Sequence, residues 1–524
     1  ALARDRGLAL AHLNLGNLLQ VARCYEVALR HSPAAAAARP DWYLPHANAG
    51  NALARQDRTD EAREAYGRAL GLGAPEGLRF RRDLLLPVIA ASAAQMTAAR
   101  QRYAAGLAAL EADPPPLRDP VVEAGGSRFF LAYAGMDDRP LQARLAHLYL
   151  RCRPDLGWVA PHCRPGAVRR PGRRRIVVVS RFLFDHSIGR LAEGLLLRLA
   201  RQADLSLFDA GPVPDDAVHR RLVSGAASHA QLPDDLAEAR AMIATAEADL
   251  VFYPEIGMHA PTYFLAFARL APVQCVSYGH PVTTGIPTVD AFLSCAAAEV
   301  DAADADYSER LVRLPGLPFA FARPPEPDDR RDRADFGLPP SGALYLMAQN
   351  LFKLHPDMDA AFAAILKADP AGHVVLLDGH DSRWSAALRK RFSATLGGAA
   401  GRILFLPRQG HSGFMRLLQL ADVGLDSFPF SGGTTTYQAL AMGLPVVTLP
   451  GRYLRGRVSL AIYERMGLRD CVARDAADYA GIATRLATDA GYAAAMRRRI
   501  GAKAAGIFDD AAFLEAAEAF LMTA

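Results

Sequence analysis

The stretch Asp426-Ser427-Phe428-Pro429-Phe430-Ser431-Gly432-Gly433-Thr434-Thr435-Thr436 decides the fold of this 524-residue chain. A short apolar run, Val423–Leu425, ends just before it. Two glycines then let the backbone turn tightly, and three hydroxyl residues open a helical stretch that runs to Met442-Gly443. Strand, glycine turn and helix in that order build parallel α/β sheets. The unpaired N–H groups and positive dipole end of such a helix suit a phosphate or pyrophosphate. A plain capped helix would also be written with Ser and Thr. Gly443-Leu444-Pro445-Val446-Val447-Thr448-Leu449-Pro450-Gly451 reads as a turn and the next strand.

Upstream, the same pattern repeats. Apolar β-rich runs at Leu344–Met347, His373–Leu377, Ile403–Leu406, Val423–Leu425 and Val446–Leu449 alternate with helical stretches. An earlier series covers Ile176–Ser180, Leu205–Ala210, Leu250–Tyr253, Val273–Tyr278 and Ala291–Ser294, and the Pro/Asp/Arg-rich stretch Pro324–Asp335 joins the two. Strands buried on both faces and alternating with helices imply parallel sheets. The expected architecture is two Rossmann-like lobes, at 173–325 and 340–524, with ligands beyond the carboxyl ends of the strands. Neither lobe carries GxGxxG or GxxxxGK[ST], which disfavours dinucleotide and P-loop chemistry.

The N-terminal part reads as helical hairpins. Leu15-Gly16-Asn17-Leu18-Leu19 recurs as Ala49-Gly50-Asn51-Ala52-Leu53, and the offset of 34 is the tetratricopeptide period. The second copy continues with Ala62, Tyr66 and Ala69 and closes at Pro75. In the first, Tyr25 and Ala28 fall about seven residues early, as though two helical turns were missing. Residues 1–78 are therefore expected to be repeats and 79–165 a helical connector, broken at Pro114-Pro115-Pro116. The basic run with Arg169, Arg170, Arg173, Arg174 and Arg175 reads as a solvated hinge.

Composition narrows the class. With 51% hydrophobic and 22% charged residues the chain is globular, and a net charge of +5 gives no general case for nucleic acid. No apolar run reaches the ~18–20 residues of a membrane helix, and no leader is read. The chain opens on Ala1, as a processed or truncated one would. Six scattered cysteines without a CxxC pair suggest buried thiols in a reducing cytoplasm, and no metal-ligand set is read. Basic charge is carried almost wholly by arginine. The lysines are Lys353, Lys367, Lys390 and Lys503, which singles each of them out.

Several segments closely resemble the O-GlcNAc transferase family, glycosyltransferase family 41. They are Gln419–Asp426, the Gly-Gly-Thr-Thr-Thr loop, Leu444–Gly451, Gln274–Pro281 with Thr283-Thr284-Gly285, Tyr307–Leu311, and Phe184-Asp185-His186-Ser187-Ile188-Gly189. The resemblance implies a GT-B fold preceded by repeats and an inverting, metal-independent transfer from a UDP-sugar to a polypeptide. No cofactor beyond that donor is implied. Its bacterial members include an HMW1C-like branch of N-glucosyltransferases, in which Phe428-Pro429-Phe430 also occurs.

By the same resemblance, Lys353, following Asn350-Leu351-Phe352, contacts the donor diphosphate. A departing UDP needs a cation on its phosphates, and an amine can supply it. His186 lies near the donor sugar and acceptor, and could take a proton or hold the sugar. Gly432, Gly433, Thr434, Thr435 and Thr436 form the diphosphate loop, although many relatives have His at the position of Gly433. Gln438 stands where relatives often carry an acid for the ribose. Gln409, after Arg408, and Phe414 match the uracil-binding stretch, and a core aromatic explains Phe414 nearly as well. His280 and Thr283 fall in the cleft loop of the first lobe, where Glu255 and Asp290 are further possible acids.

The expected function is transfer of a sugar, GlcNAc first, from UDP to Ser/Thr, with the acceptor polypeptide bound by repeats and cleft. Two alternatives stand beside it: UDP-Glc-dependent modification of Asn, and a repeat-based interaction protein whose lobes have decayed.

Overall fold

The computed structural model describes residues 8–22, 24–125, 127–168, 171–318 and 320–524. Residues 1–7 of the expected repeat region, and Arg169 and Arg170 of the expected hinge, lie outside the described residues. The chain divides into two compact units: 1–90, 94–131 and 144–156 form one; 91–93, 132–143 and 157–524 form the other. The stretch expected as a connector is thus shared between them.

The first unit is built of helical hairpins. Helices α1 (Ala9–Val21) and α2 (Tyr25–Ala38) form one pair, α3 (Tyr43–Arg55) and α4 (Thr59–Gly71) the next. In the second pair the Tyr66 ring lies over Gly50, where an added Cβ would fall 2.5 Å from Cε1. The first pair corrects the sequence reading. Its buried Ala28 and Ala35 stand 34 residues before buried Ala62 and Ala69, so no turns are missing. Ser32 occupies the place of Tyr66. The aromatic landmark is absent, and that absence shifted the reading to Tyr25.

The second unit carries two parallel sheets. In the first, strands β1 (Arg175–Ser180), β2 (Asp204–Asp209), β3 (Ser228–Gln231), β4 (Leu250–Tyr253), β5 (Val273–Ser277), β6 (Ala291–Cys295) and β7 (Arg310–Leu314) run in the order β3-β2-β1-β4-β5-β6-β7. In the second, β8 (Leu344–Met347), β9 (His373–Leu377), β10 (Ile403–Leu406), β11 (Val423–Leu425) and β12 (Val446–Val447) run β10-β9-β8-β11-β12. Every sequence-derived strand is present. The two unforeseen ones, β3 and β7, are edge strands: Ser-His-Ala-Gln is mostly exposed, and Arg-Leu-Val-Arg-Leu is only partly buried and carries two arginines. Edge strands lack the two-faced burial that makes an apolar run.

In each sheet the order reverses between the first strand and the fourth, β1/β4 and β8/β11, and this switch point opens a crevice at the carboxyl ends. The last helix, Ala511–Thr523, departs from the expected boundary. It packs on the first lobe, where Arg198 and Gln202 reach Glu518 and Tyr278 meets Phe513. The expected hinge is also partly tied down. Arg173 donates to the carbonyls of Arg201 and Gln202, Arg174 to that of Ala524, and Arg175 pairs with Glu247 and Asp249.

Candidate active site

The β8/β11 switch point gathers the sharpest residues. The turn after β8 carries Gln349 and Lys353, and the loop after β11 carries Asp426 to Gly433. Lys353 Nζ donates to the Ser431 carbonyl at 2.9 Å and to Gln349 Oε1 at 3.2 Å. It also lies 4.6 Å from the Phe430 ring centre, a cation–π distance. An ammonium has three donors, so one remains for a ligand. Lys353 is half-buried, while Lys367, Lys390 and Lys503 are exposed. Burial pulls its pKa down from 10.5 to about 8, against the opposing charge of Asp426.

The glycine–threonine loop is held from beneath. Buried Asp426 accepts from the Gly432 N–H at 2.5 Å and from Thr448 Oγ1 at 2.8 Å, and burial raises its pKa. Gln349 Nε2 donates to Thr435 Oγ1 at 2.7 Å, linking the turn of Lys353 to the start of the helix. Thr436 Oγ1 is 2.9 Å from Ser459 Oγ. Gly432 is sterically required, since a Cβ there would fall 2.5 Å from Gln349 Nε2 and 2.6 Å from Thr436 Oγ1. The helix Thr434–Ala441 starts at Gly433, and its first intrahelical donor is Thr436 N–H. The N–H groups of Thr434 and Thr435 precede it, on half-buried residues. A positive helix end, two hydroxyls and an ammonium make an anion cradle.

The remaining expected residues of this lobe are arranged around it. Asn350 is exposed at the turn of Lys353. Gln438 is half-buried one turn into the helix and makes no side-chain hydrogen bond among the described residues. The helix His411–Leu420 packs beside Thr434–Ala441. Gln409, just before it, accepts from Arg331 and donates to the Pro407 carbonyl. Half-buried Phe414 packs against the apolar cluster with Leu346, Leu406 and Met415, which gives it a core contact.

The β1/β4 switch point of the first lobe holds a second group. His186 caps the helix Ser187–Gln202: its Nδ1 accepts from the Ile188 N–H at 3.2 Å, and its ring stacks on Phe182 at 4.6 Å. Burial lowers its pKa, so the ring is neutral near pH 7. With Nδ1 accepting, the proton of the neutral ring sits on Nε2, which is therefore a donor. Glu255 is fully buried at the end of β4, accepts from Ser180 Oγ at 2.8 Å, and is pushed by burial up to about 8. His280 is buried against Gly257, where φ is +108° and a Cβ would fall 2.7 Å from His280 Cδ2.

Two expected residues of this lobe serve structure. The Thr283 hydroxyl donates to Glu309 at 2.6 Å and accepts from the Ser308 N–H at 2.9 Å, so it fastens its loop. Asp290 pairs with Arg269 and accepts from the Gln274 N–H, at the opposite ends of the strands from the crevice. Sequence reading missed Gln349, Asp426 and the Ser431 carbonyl. An acid closing a strand before a glycine loop was the one available signal; a main-chain carbonyl leaves none.

Two Rossmann-like lobes with an anion cradle at the crevice of the second define the GT-B class of fold. Residues 330–513 match the model of Glycosyl transferase family 41. The probable UDP-N-acetylglucosamine–peptide N-acetylglucosaminyltransferase SPINDLY of Petunia hybrida is 33% identical over 233 residues, 42% of this chain and 24% of that protein. The corresponding SEC protein of Arabidopsis thaliana is 30% identical over 207 residues, 38% of this chain and 21% of that one. The chain thus spans about a quarter of the length of these relatives. A variant of the Thermobaculum terrenum O-GlcNAc transferase matches with a TM-score of 0.70 at 23% identity, over 99% of this chain and 91% of that one. The family 41 match thus covers the second lobe, residues 330–513, and the fold of the chain is that of the matched O-GlcNAc transferase.

Proposed function

We propose that this chain is an inverting glycosyltransferase that moves N-acetylglucosamine from UDP to a Ser or Thr hydroxyl of a polypeptide. The observation that carries the reading is the half-buried Lys353 ammonium, bonded to the Ser431 carbonyl beside the open N-terminus of the helix Thr434–Ala441. The names of the relatives supply the donor and the peptide acceptor.

In this reading the diphosphate takes the third donor of Lys353 and the N–H groups of Thr434 and Thr435. The acceptor oxygen attacks the anomeric carbon from the face opposite UDP. The bond to the diphosphate oxygen breaks with its electrons going to UDP, and the hydroxyl proton passes to water. Charge developing on UDP meets fixed positive partners, the main source of rate in such a site, so the reaction runs without a metal ion. His186 donates from Nε2 to an oxygen of the sugar or acceptor. Gln409 and Phe414 serve the uracil, Gln438 the ribose, and the repeats an extended acceptor segment.

The test is transfer of radiolabel from UDP-GlcNAc and from UDP-Glc to polypeptides of a cell lysate, with and without chelator, and calorimetry with UDP. Label from UDP-GlcNAc on Ser or Thr, undiminished by chelator, supports the reading. Label from UDP-Glc on Asn would replace it with N-glucosylation. Absence of UDP binding would leave lobes that no longer act.

A further inference from the structure

A cluster outside the anion cradle has the chemistry of a metal site. Asp209 closes β2, His229 lies on the neighbouring β3, and His219 lies on the helix Ala217–Gly225; one ligand atom from each falls within 4.8 Å of the others. His229 Nε2 is 2.6 Å and His219 Nε2 3.7 Å from Asp209 Oδ2.

The His219 ring is fixed from its far side. Its Nδ1 lies 2.9 Å from the Leu183 carbonyl oxygen, which can only accept, so Nδ1 carries the proton. In the neutral ring Nε2 then presents a bare lone pair to a carboxylate oxygen. Two electron-rich atoms face one another, a repulsive arrangement unless a cation lies between them. An imidazole that donates its other N–H to a main-chain carbonyl is the usual form of a metal-bound histidine. The carboxylate is also incompletely used. Asp209 is 2% exposed, and its Oδ1 is buried with no hydrogen-bond partner. A buried acceptor of that kind costs free energy unless something binds it.

We propose that Asp209, His219 and His229 bind one divalent transition-metal cation of the zinc type, with water as the fourth ligand. Two imidazoles and one carboxylate suit such a cation; at metal–ligand distances of about 2.0–2.2 Å the ion separates His229 Nε2 from Asp209 Oδ2, now 2.6 Å apart, and draws His219 Nε2 slightly inward from 3.7 Å. Binding displaces the proton that His229 Nε2 shares with Asp209, and a neutral ring then carries it on Nδ1, at the exposed edge of the cluster. The guanidinium of Arg181, whose charge also acts on Asp209, opposes the cation and limits its affinity. The site lies directly behind the loop of His186: His219 holds the Leu183 carbonyl, and Asp216, the cap of the same helix, accepts from the Asp185 N–H at 2.6 Å. A bound ion would therefore stiffen the segment Phe182–His186 without touching the diphosphate.

The experiment uses the full chain without a histidine tag, stripped of metal by chelator. Co2+ is titrated by visible absorbance, and Zn2+ by calorimetry. One equivalent bound in tetrahedral geometry, with a melting temperature that rises with Zn2+ and falls back with chelator, is the expected result. His229→Gln, at the exposed edge of the cluster, and Asp209→Asn should each weaken Zn2+ by at least about tenfold. His12→Gln should change nothing; it breaks the His12–His31 pair, 3.0 Å apart in the repeats. Absence of stoichiometric binding would overturn the proposal and leave a proton between His219 and Asp209. Binding that survives His229→Gln and disappears in His12→Gln would overturn it equally.

Discussion

The ammonium of Lys353 lies 2.9 Å from the main-chain carbonyl oxygen of Ser431, and among the described residues it makes no ion pair. A half-buried charge held by a carbonyl and an amide is under-compensated. Lys353→Met is expected to lower transfer by about 10²–10³-fold and to weaken UDP binding, while raising the melting temperature by a few degrees. A variant with near-normal turnover would remove the lysine from the diphosphate site.

The pH dependence has a definite sign. A lysine acts on phosphate only while charged, and burial brings Lys353 down to about 8. The profile of kcat/KM should therefore fall above about pH 8, earlier than an exposed lysine would allow. The corresponding stability term runs the other way. The folded pKa lies below 10.5, so the fold holds this proton less tightly than the unfolded chain does, and stability rises between pH 8 and 10.5. A profile flat to pH 10 would contradict the assignment.

Gly432→Ala tests the cradle without altering a charge. The new Cβ would meet Gln349 Nε2 at 2.5 Å and Thr436 Oγ1 at 2.6 Å, and must part them. A stability loss of about 1–3 kcal/mol is expected, as for overpacking, together with a larger fractional loss of UDP affinity than of melting temperature. Unchanged UDP affinity would show that the Gln349–Thr435 bridge is not part of the donor site.

His186 has two jobs that a pair of variants separates. Asparagine can still cap the helix Ser187–Gln202 through its side-chain oxygen, whereas His186→Ala loses the cap at a cost of about 1 kcal/mol. If Nε2 holds a substrate oxygen, His186→Asn should keep the stability and lose at least about tenfold in rate, the worth of one hydrogen bond. Full activity in His186→Asn would reduce the residue to a cap.

Glu255 predicts a stability profile. Its folded pKa of about 8 lies above the ordinary 4.5, so its contribution is fully present below pH 4.5 and is lost as pH rises to about 8. The loss is on the order of 5 kcal/mol. Glu255→Gln should flatten the decline in denaturant midpoint between pH 5 and 8. An unaltered profile would mean that the carboxyl is ionised where it lies.

Most of the fold was legible because buried parallel strands write themselves as apolar runs, and each such run is a strand. The limits follow the same logic. Ser228–Gln231 and Arg310–Leu314 are edge strands with polar residues and carry no such signal. Ala28 and Ala35 pack the first hairpin, yet an alanine in an alanine-rich helix marks no register. Thr283 looked free for a ligand until Glu309, 26 residues later, folded back onto its hydroxyl.

Local chemistry was therefore written in the chain: a glycine turn opening a threonine-rich helix, and one lysine among arginines placed after a strand. Only the tertiary structure decided which of these groups meet. Lys353 and Ser431 are 78 residues apart, and they touch because β8 and β11 lie side by side where the strand order reverses. Asp209, His219 and His229 converge in the same way, from two neighbouring strands and a helix. Hydrophobic periodicity is a property of each segment alone, whereas strand order results from packing all segments against one another, and no single stretch of residues contains it.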